Sequence, residues 1–277
     1  MRRLALPDGS EIPVIGQGTW RMGEVVAQRG QEVAALQAGI DLGLTLIDTA
    51  EMYGNGGAED VVGEAIQGRR DRVYLVSKVL PGNASRAGTM TACARSLKHL
   101  KTDRIDLYLL HWRGSYPLAE TLEAFRALQT QGKIGGFGVS NFDTKDMREW
   151  LALAGAGATQ TNQILYNVGV RGSEFDLLPF HAKAGIPLMA YSPLAQGDFR
   201  RMAPLQSVAA RHQATPAQVM LAWVTRQPNV FAVPKSSNIA RLHENAAAAE
   251  LKLTPQDLAE IDAAFPPPQK MAPLEMI

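Results

Sequence analysis

Short apolar runs alternate with longer helical patterns along nearly the whole chain, and no other feature limits its fold so narrowly. "TLIDTA" precedes "AEDVVGEAIQG", "VYLVSKV" precedes "AGTMTACARSLKHL", and "IDLYLLH" precedes "LAETLEAFRALQTQ". The order recurs in "GGFGVS" and "TKDMREWLALA", "ATQTNQILY" and "SEFDLLPFHAKAG", "IPLMAYS" and "LQSVAARHQ", "VFAVPKS" and "ARLHENAAAAE". The helical stretches carry apolar residues three and four apart. Most of the short runs are continuous and apolar, as strands are when both faces of a parallel sheet are covered. With a first strand near "VIGQGT" and its helix "QEVAALQAGIDLG", about eight units result, the number that closes a parallel barrel.

The expected fold is therefore α/β, a (β/α)8 TIM barrel forming one domain over residues 1–277. A β-hairpin from residues 3–6 and 11–14, turning at "PDGS", precedes it, and a short irregular tail, "PPPQKMAPLEMI", follows. Two more helices start with Thr-Pro, in "TPAQVMLAWVTRQ" and "TPQDLAEIDAAF", an N-cap followed by proline at the first helical position. An open doubly wound sheet is the alternative. Against it, the first strand leads into "GQGTWRMGE", not into a G-x-G-x-x-G that opens a helix. The glycines of "GNGGAE" lack the third member of that motif and read as turn residues leading into a helix at Ala58.

A formal net charge of +1 gives no overall field for nucleic acid or an anionic membrane. The N-terminal "MRRLALPDGSEI" has no signal-peptide apolar region, and no run reaches the length of a membrane span. The single cysteine, Cys93, lies in a helical pattern and cannot form an internal disulfide. A cytoplasmic monomer that acts on a small molecule is the expectation.

In a parallel barrel the chemistry gathers at the C-terminal ends of the strands. The polar residues that end the apolar runs are Asp48, Ser77-Lys78, His111-Trp112, Ser140-Asn141, Asn162-Gln163, Tyr191-Ser192 and Lys235-Ser236. Each alone has a structural reading. Asp48 or Ser140 would cap a helix, Lys78 would snorkel from a strand end, and His111 would sit in the core with a backbone partner. Together they place a lysine, a histidine and an aspartate on one rim, where buried charges must pair.

These residues, with their spacing, identify a resemblance to the aldo-keto reductases that runs over nearly the whole chain. It rests on "GLTLIDTAEMYGNGGAEDVVGEAI", "LKTDRIDLYLLHW" and "VPKSSNIARLHEN". By that resemblance Asp48, Tyr53, Lys78 and His111 are the catalytic tetrad. Carbonyl reduction builds negative charge on the oxygen, which needs a proton donor and hydrogen-bond donors. Tyr53 is the expected acid, with Lys78 lowering its pKa, Asp48 holding Lys78 charged, and His111 contacting the carbonyl oxygen.

The resemblance also implies NADPH as cofactor. Ser140, Asn141 and Gln163 would hold the nicotinamide carboxamide, and Tyr191 would stack on the ring. Ser192, Pro193, Leu194, Gln196 and Gly197 would follow the pyrophosphate, with Gly18, Thr19, Trp20 and Asp48 also at the cofactor. Lys235, Ser236 and Arg241 fit a 2′-phosphate site, Ser237 is expected at the cofactor beside them, and Glu244 and Asn245 would meet the adenine. Trp20, Tyr53, His111 and Trp112 would bound the substrate. Thr45 stands where many members have arginine, and "ILYNV" where many have Glu-Tyr-His after the Asn-Gln. The short loop "WRGSYP" and the short tail imply an open site. "GQGTWRMGE" with "LIDTAEMYG" is most similar to bacterial methylglyoxal or general aldehyde reductases.

Three other functions remain in view. Lys78 as a Schiff-base nucleophile would need its charge suppressed, which Asp48 opposes. Metal-dependent hydrolysis would want a His-x-His or His-Glu-x-x-His pair, and the five histidines make neither. A barrel that binds NADPH only to regulate a partner would share many of the same residues.

Overall fold

The computed structural model describes residues 1–197 and 203–277. The chain opens with an antiparallel hairpin, β1 (Arg3–Ala5) and β2 (Glu11–Pro13), in which Leu4 faces Ile12. Leu4, Leu6 and Ile12 are buried, and the Asp8 N–H donates to Gln160 Oε1 at 3.0 Å. The hairpin thus packs at the N-terminal end of the strands that follow.

Eight parallel strands come next: β3 (Gln17–Gly18), β4 (Leu46–Asp48), β5 (Tyr74–Val79), β6 (Ile105–Leu110), β7 (Ile134–Ser140), β8 (Thr159–Leu165), β9 (Leu188–Tyr191) and β10 (Val230–Ala232). Each pairs with the next in chain order. Parallel bridges from Ile15 to Ala232 and from Gly18 to Lys235 join the first strand to the last, and the sheet closes. At this seam the Gly16 N–H donates to Ala232 O at 2.8 Å and the Gly18 N–H to Pro234 O at 3.0 Å. A Cβ on Gly18 would lie 2.6 Å from Val233 O, so the seam needs glycine.

The helices are α1 (Arg29–Asp41), α2 (Gly57–Ala65), α3 (Arg86–His99), α4 (Leu118–Thr130), α5 (Thr144–Ala154), α6 (Leu177–Ala184), α7 (Ala203–Arg211), α8 (Pro216–Val224), α9 (Ile239–Ala248) and α10 (Pro255–Ala264). Side chains of Ser85, Asp143, Thr215, Asn238 and Thr254 cap α3, α5, α8, α9 and α10. Both Thr-Pro starts form full capping boxes, with Gln218 and Asp257 returning the bond. The stretch 205–213, read as the helix of the seventh unit, differs in role. It is α8 that packs on β10, while α7 packs on α8 and α10. The apolar face of α8, with Val219, Met220, Leu221, Trp223 and Val224 all buried, explains the choice. No described helix is long and apolar enough to cross a membrane.

Candidate active site

The site forms at the C-terminal rim because side chains two apart on a strand share a face. Asp48 ends β4 beside Val76 of β5, and Lys78, two residues further along β5, lies on the same side. Lys78 is fully buried, with Nζ 2.8 Å from Asp48 Oδ1. The ammonium also donates to Thr49 O at 2.9 Å and to the Tyr53 hydroxyl at 3.2 Å. Gln163, from β8 across the barrel, donates its amide to Asp48 Oδ1 at 2.8 Å. Its neighbour Asn162 points the other way and bonds the Phe142 backbone, so only one of the pair reaches the rim.

Tyr53 stands in the loop after β4, where "YGNG" makes a 3-10 turn. Gly54, Asn55 and Gly56 all have left-handed φ, at 55°, 52° and 91°. These residues take the chain past Met22 and Gly23 of the preceding loop: a Cβ on Gly23 would fall 2.2 Å from the Gly57 carbonyl carbon. "GNGG" is therefore a backbone-packing device. His111, just after β6, meets the Tyr53 ring edge-on at 5.8 Å, and the Trp112 ring lies 5.0 Å from His111.

Burial opposes the Lys78 charge, but Asp48 and Tyr53 outweigh it and hold the ammonium above its ordinary value. Burial also raises the Tyr53 phenol, and the attraction of Lys78 offsets only part of that. This departs from the expectation that Lys78 would leave the phenol with a net lowered value: the hydroxyl has left water, and that effect is the larger. Burial first, and then Lys78, push His111 well below the usual imidazole value, so the ring is neutral. Its Nδ1 is buried with no hydrogen-bond partner among the described residues.

Around this cluster lies a groove of about 1010 Å³, at the upper end of small-molecule sites. It is lined by Gly18, Thr19, Trp20, Asp48, Tyr53, His111, Trp112, Asn141, Gln163 and Tyr191, and also by Ser192, Pro193, Leu194, Gln196 and Gly197. Lys235, Ser236, Arg241, Glu244 and Asn245 line it as well. Of the residues expected at a cofactor, Ser140 and Ser237 do not reach its surface. Ser140 is fully buried and donates to Gln163 O at 3.0 Å, while the Ser237 backbone carbonyl accepts from Gln31. Asn141, Ser192 and Gln196 hold left-handed φ of 57°, 47° and 55°, which turns the chain at the groove wall. The Tyr191 hydroxyl donates to Asn141 Oδ1 at 3.0 Å, and burial pushes that phenol up to about 12.

The residues present fit a phosphorylated dinucleotide. Lys235 and Arg241 are exposed in the groove wall and neither pairs with a carboxylate among the described residues. At the other end His111, Gln163 and Asn141 line the groove with polar side chains.

Sequence reasoning missed Arg21, Met52, Gln206, Thr215, Ala217, Met276 and Ile277, all of which line the groove. Thr215 carried a signal, its Thr-Pro cap, which was read for the helix alone. The tail, read as too short to wall in a substrate, has no helix or strand after Ala264, yet Met276 and Ile277 reach the groove.

The Aldo/keto reductase family model matches residues 14–265. The chain belongs to the aldo/keto reductase family. Among relatives, the methylglyoxal reductase YeaE of Escherichia coli strain K12 is 51% identical over 271 residues, covering 96% of this chain and 95% of that one. An aldo/keto reductase from Klebsiella pneumoniae, solved with NADP and acetate, superposes with a TM-score of 0.96 at 50% identity, covering 99% of each chain. An aldo-keto reductase structure from the same organism in complex with NADPH gives a TM-score of 0.96 at 49% identity over the full length of both chains. The rim cluster of this chain lies at the C-terminal ends of the strands, the face on which parallel barrels build their sites.

Proposed function

We propose that the protein reduces small aldehydes, dicarbonyls such as methylglyoxal, or ketones to alcohols with NADPH, and that Tyr53 donates the proton. The observation that carries this is the buried Lys78 ammonium held between Asp48 and the Tyr53 hydroxyl at 2.8 and 3.2 Å. When bound, the reduced nicotinamide supplies a hydride to the carbonyl carbon. This chain's residues do the rest. The C=O π bond breaks toward oxygen, the developing oxyanion takes the Tyr53 proton, and the phenolate left behind is stabilised by Lys78 until water reprotonates it. Neutral His111 is a hydrogen-bond donor to the same oxygen, and Trp20 and Trp112 flank the carbonyl's substituents. A raised Lys78 pKa suits this role and disfavours a Schiff-base nucleophile.

Lys235 and Arg241 would hold the 2′-phosphate, Glu244 and Asn245 the adenine, and Asn141 and Gln163 the carboxamide. Ser140 would orient Asn141, whose amide donates to it at 3.1 Å. Residues 1–277 would act as one domain and as a monomer in the cytoplasm. The similarity to a methylglyoxal reductase and to NADP-bound structures supports carbonyl reduction with NADPH. The test is a panel of aldehydes, dicarbonyls and ketones followed by NADPH consumption, with NADH in parallel. Methylglyoxal and small aldehydes should be turned over faster with NADPH, and an absence of carbonyl-dependent consumption across the panel would overturn it.

A further inference from the structure

We infer that Glu51 is a positioning residue that sets the height of the Tyr53 hydroxyl over Lys78; this rests on the reading of Tyr53 as the proton donor. The loop from Asp48 to Tyr53 is joined to β5 and its continuation by a series of bonds. The Thr49 N–H donates to Val76 O at 2.9 Å, Lys78 Nζ to Thr49 O at 2.9 Å, and the Glu51 N–H to Lys78 O at 3.4 Å. The Glu51 carboxylate then extends the series beyond the strand. Its Oε1 accepts from the Leu80 N–H at 2.7 Å and from Asn83 Nδ2 at 2.9 Å, and its Oε2 from the Arg95 guanidinium on α3.

The Glu51 side chain is only 4% exposed while that of Arg95 is 47% exposed. A carboxylate taken out of water is unfavourable unless its lone pairs are met. Here every group that meets them belongs to the segment following Lys78, none to the loop that Glu51 sits on. Glu51 therefore ties the Tyr53 arm to the Lys78 strand from behind, two residues before the phenol. It contributes no atom to the rim itself, and its role is to fix a distance. A reacting group displaced by about 1 Å can lose on the order of 100-fold in rate.

The experiment is a double-mutant cycle in the full chain, with kcat for methylglyoxal reduction, NADPH affinity and melting temperature measured for each variant. Glu51→Ala is expected to lower kcat about 10- to 100-fold while NADPH affinity changes less than about 2-fold. Glu51→Gln keeps an acceptor for Leu80 and Asn83 and should recover most of the rate. In a Tyr53→Phe background, Glu51→Ala should cost nothing further, because the group it positions is gone. A purely structural role would give the same loss in both backgrounds and would overturn the inference, as would full activity in Glu51→Ala. If Glu51→Ala does not fold, the same cycle with Arg95→Met, altered at a half-exposed side chain, decides by the same criterion. Full activity in Tyr53→Phe alone would instead sink the proton-donor reading, which keeps the two failures apart.

Discussion

Protonation states at single residues set what the rim can do. Tyr53 and Lys78 both hold their protons above their ordinary values, and His111 stays neutral well below its own. Because the value of Tyr53, the proposed donor, is raised, its proton is present at neutral pH and lost only on the alkaline side. The kcat for reduction should therefore be level from about pH 6.5 to about pH 10, the ordinary histidine and tyrosine values, and fall beyond. A pH profile with a midpoint near neutrality would contradict these directions. Lys235→Ala with Arg241→Ala should weaken NADPH by about 10-fold or more and NADH by less than about 3-fold, since only the former carries the 2′-phosphate that the two cations would meet. Equilibrium titration with both nucleotides checks it. The residue types at the strand ends were legible in the sequence, because an acid, a lysine and a histidine that end three apolar runs together converge on one rim, though each alone has a structural reading. The direction of the Tyr53 shift was not, since it depends on how completely the folded rim excludes water. Cys93 conforms to its helical reading: it lies buried in α3, and burial pushes its thiol up to about 12.

The helix caps and the loops behind the site belong to the scale of elements. Thr-Pro predicted both capped helices, because the cap is a local hydrogen bond between residues three apart. Which helix covers the last strand was not legible, for α7 and α8 are both amphipathic and only packing decides between them. Asp257 closes the α10 box with Thr254 and also receives Arg211 and His212 from the end of α7. Burial disfavours its charge, but His212, the Thr254 N–H and Arg211 outweigh that and hold the carboxyl well below the usual carboxylate range. A lowered folded value stabilises above the unfolded value of about 3.9, and that contribution fades as pH falls through the folded value. Asp257→Asn should thus cost about 1–2 kcal/mol at neutral pH, discounted for the partly exposed Arg211, and flatten the acid limb of stability. Denaturant melts at about pH 7 and about pH 3, on either side of the ordinary carboxylate value, measure both; an unchanged acid limb would remove Asp257 from the account.

At the scale of the whole molecule, the count of eight strands carried the barrel, because alternation with covered faces leaves little else for a chain this long. The seam was not visible in sequence: Gly18 reads as a groove residue, yet its first constraint is the Val233 carbonyl across the closure. Gly18→Ala should lower stability by about 1–3 kcal/mol even without cofactor, because backbone must move to admit the methyl. An unchanged melting temperature in the cofactor-free protein would deny the seam that role. The tail's place at the groove was illegible for a similar reason, since "PPPQKMAPLEMI" has no periodicity and only the fold brings Met276 and Ile277 there. All these layers serve one arrangement, a phenol held over a buried ammonium beside a groove with Lys235 and Arg241 in its wall. Its most direct test is Tyr53→Phe, assayed for methylglyoxal reduction and, by fluorescence titration, for NADPH binding. The expected result is a loss of about 100- to 10,000-fold in kcat with NADPH affinity unchanged; a variant that reduces carbonyls at the wild-type rate would contradict the account.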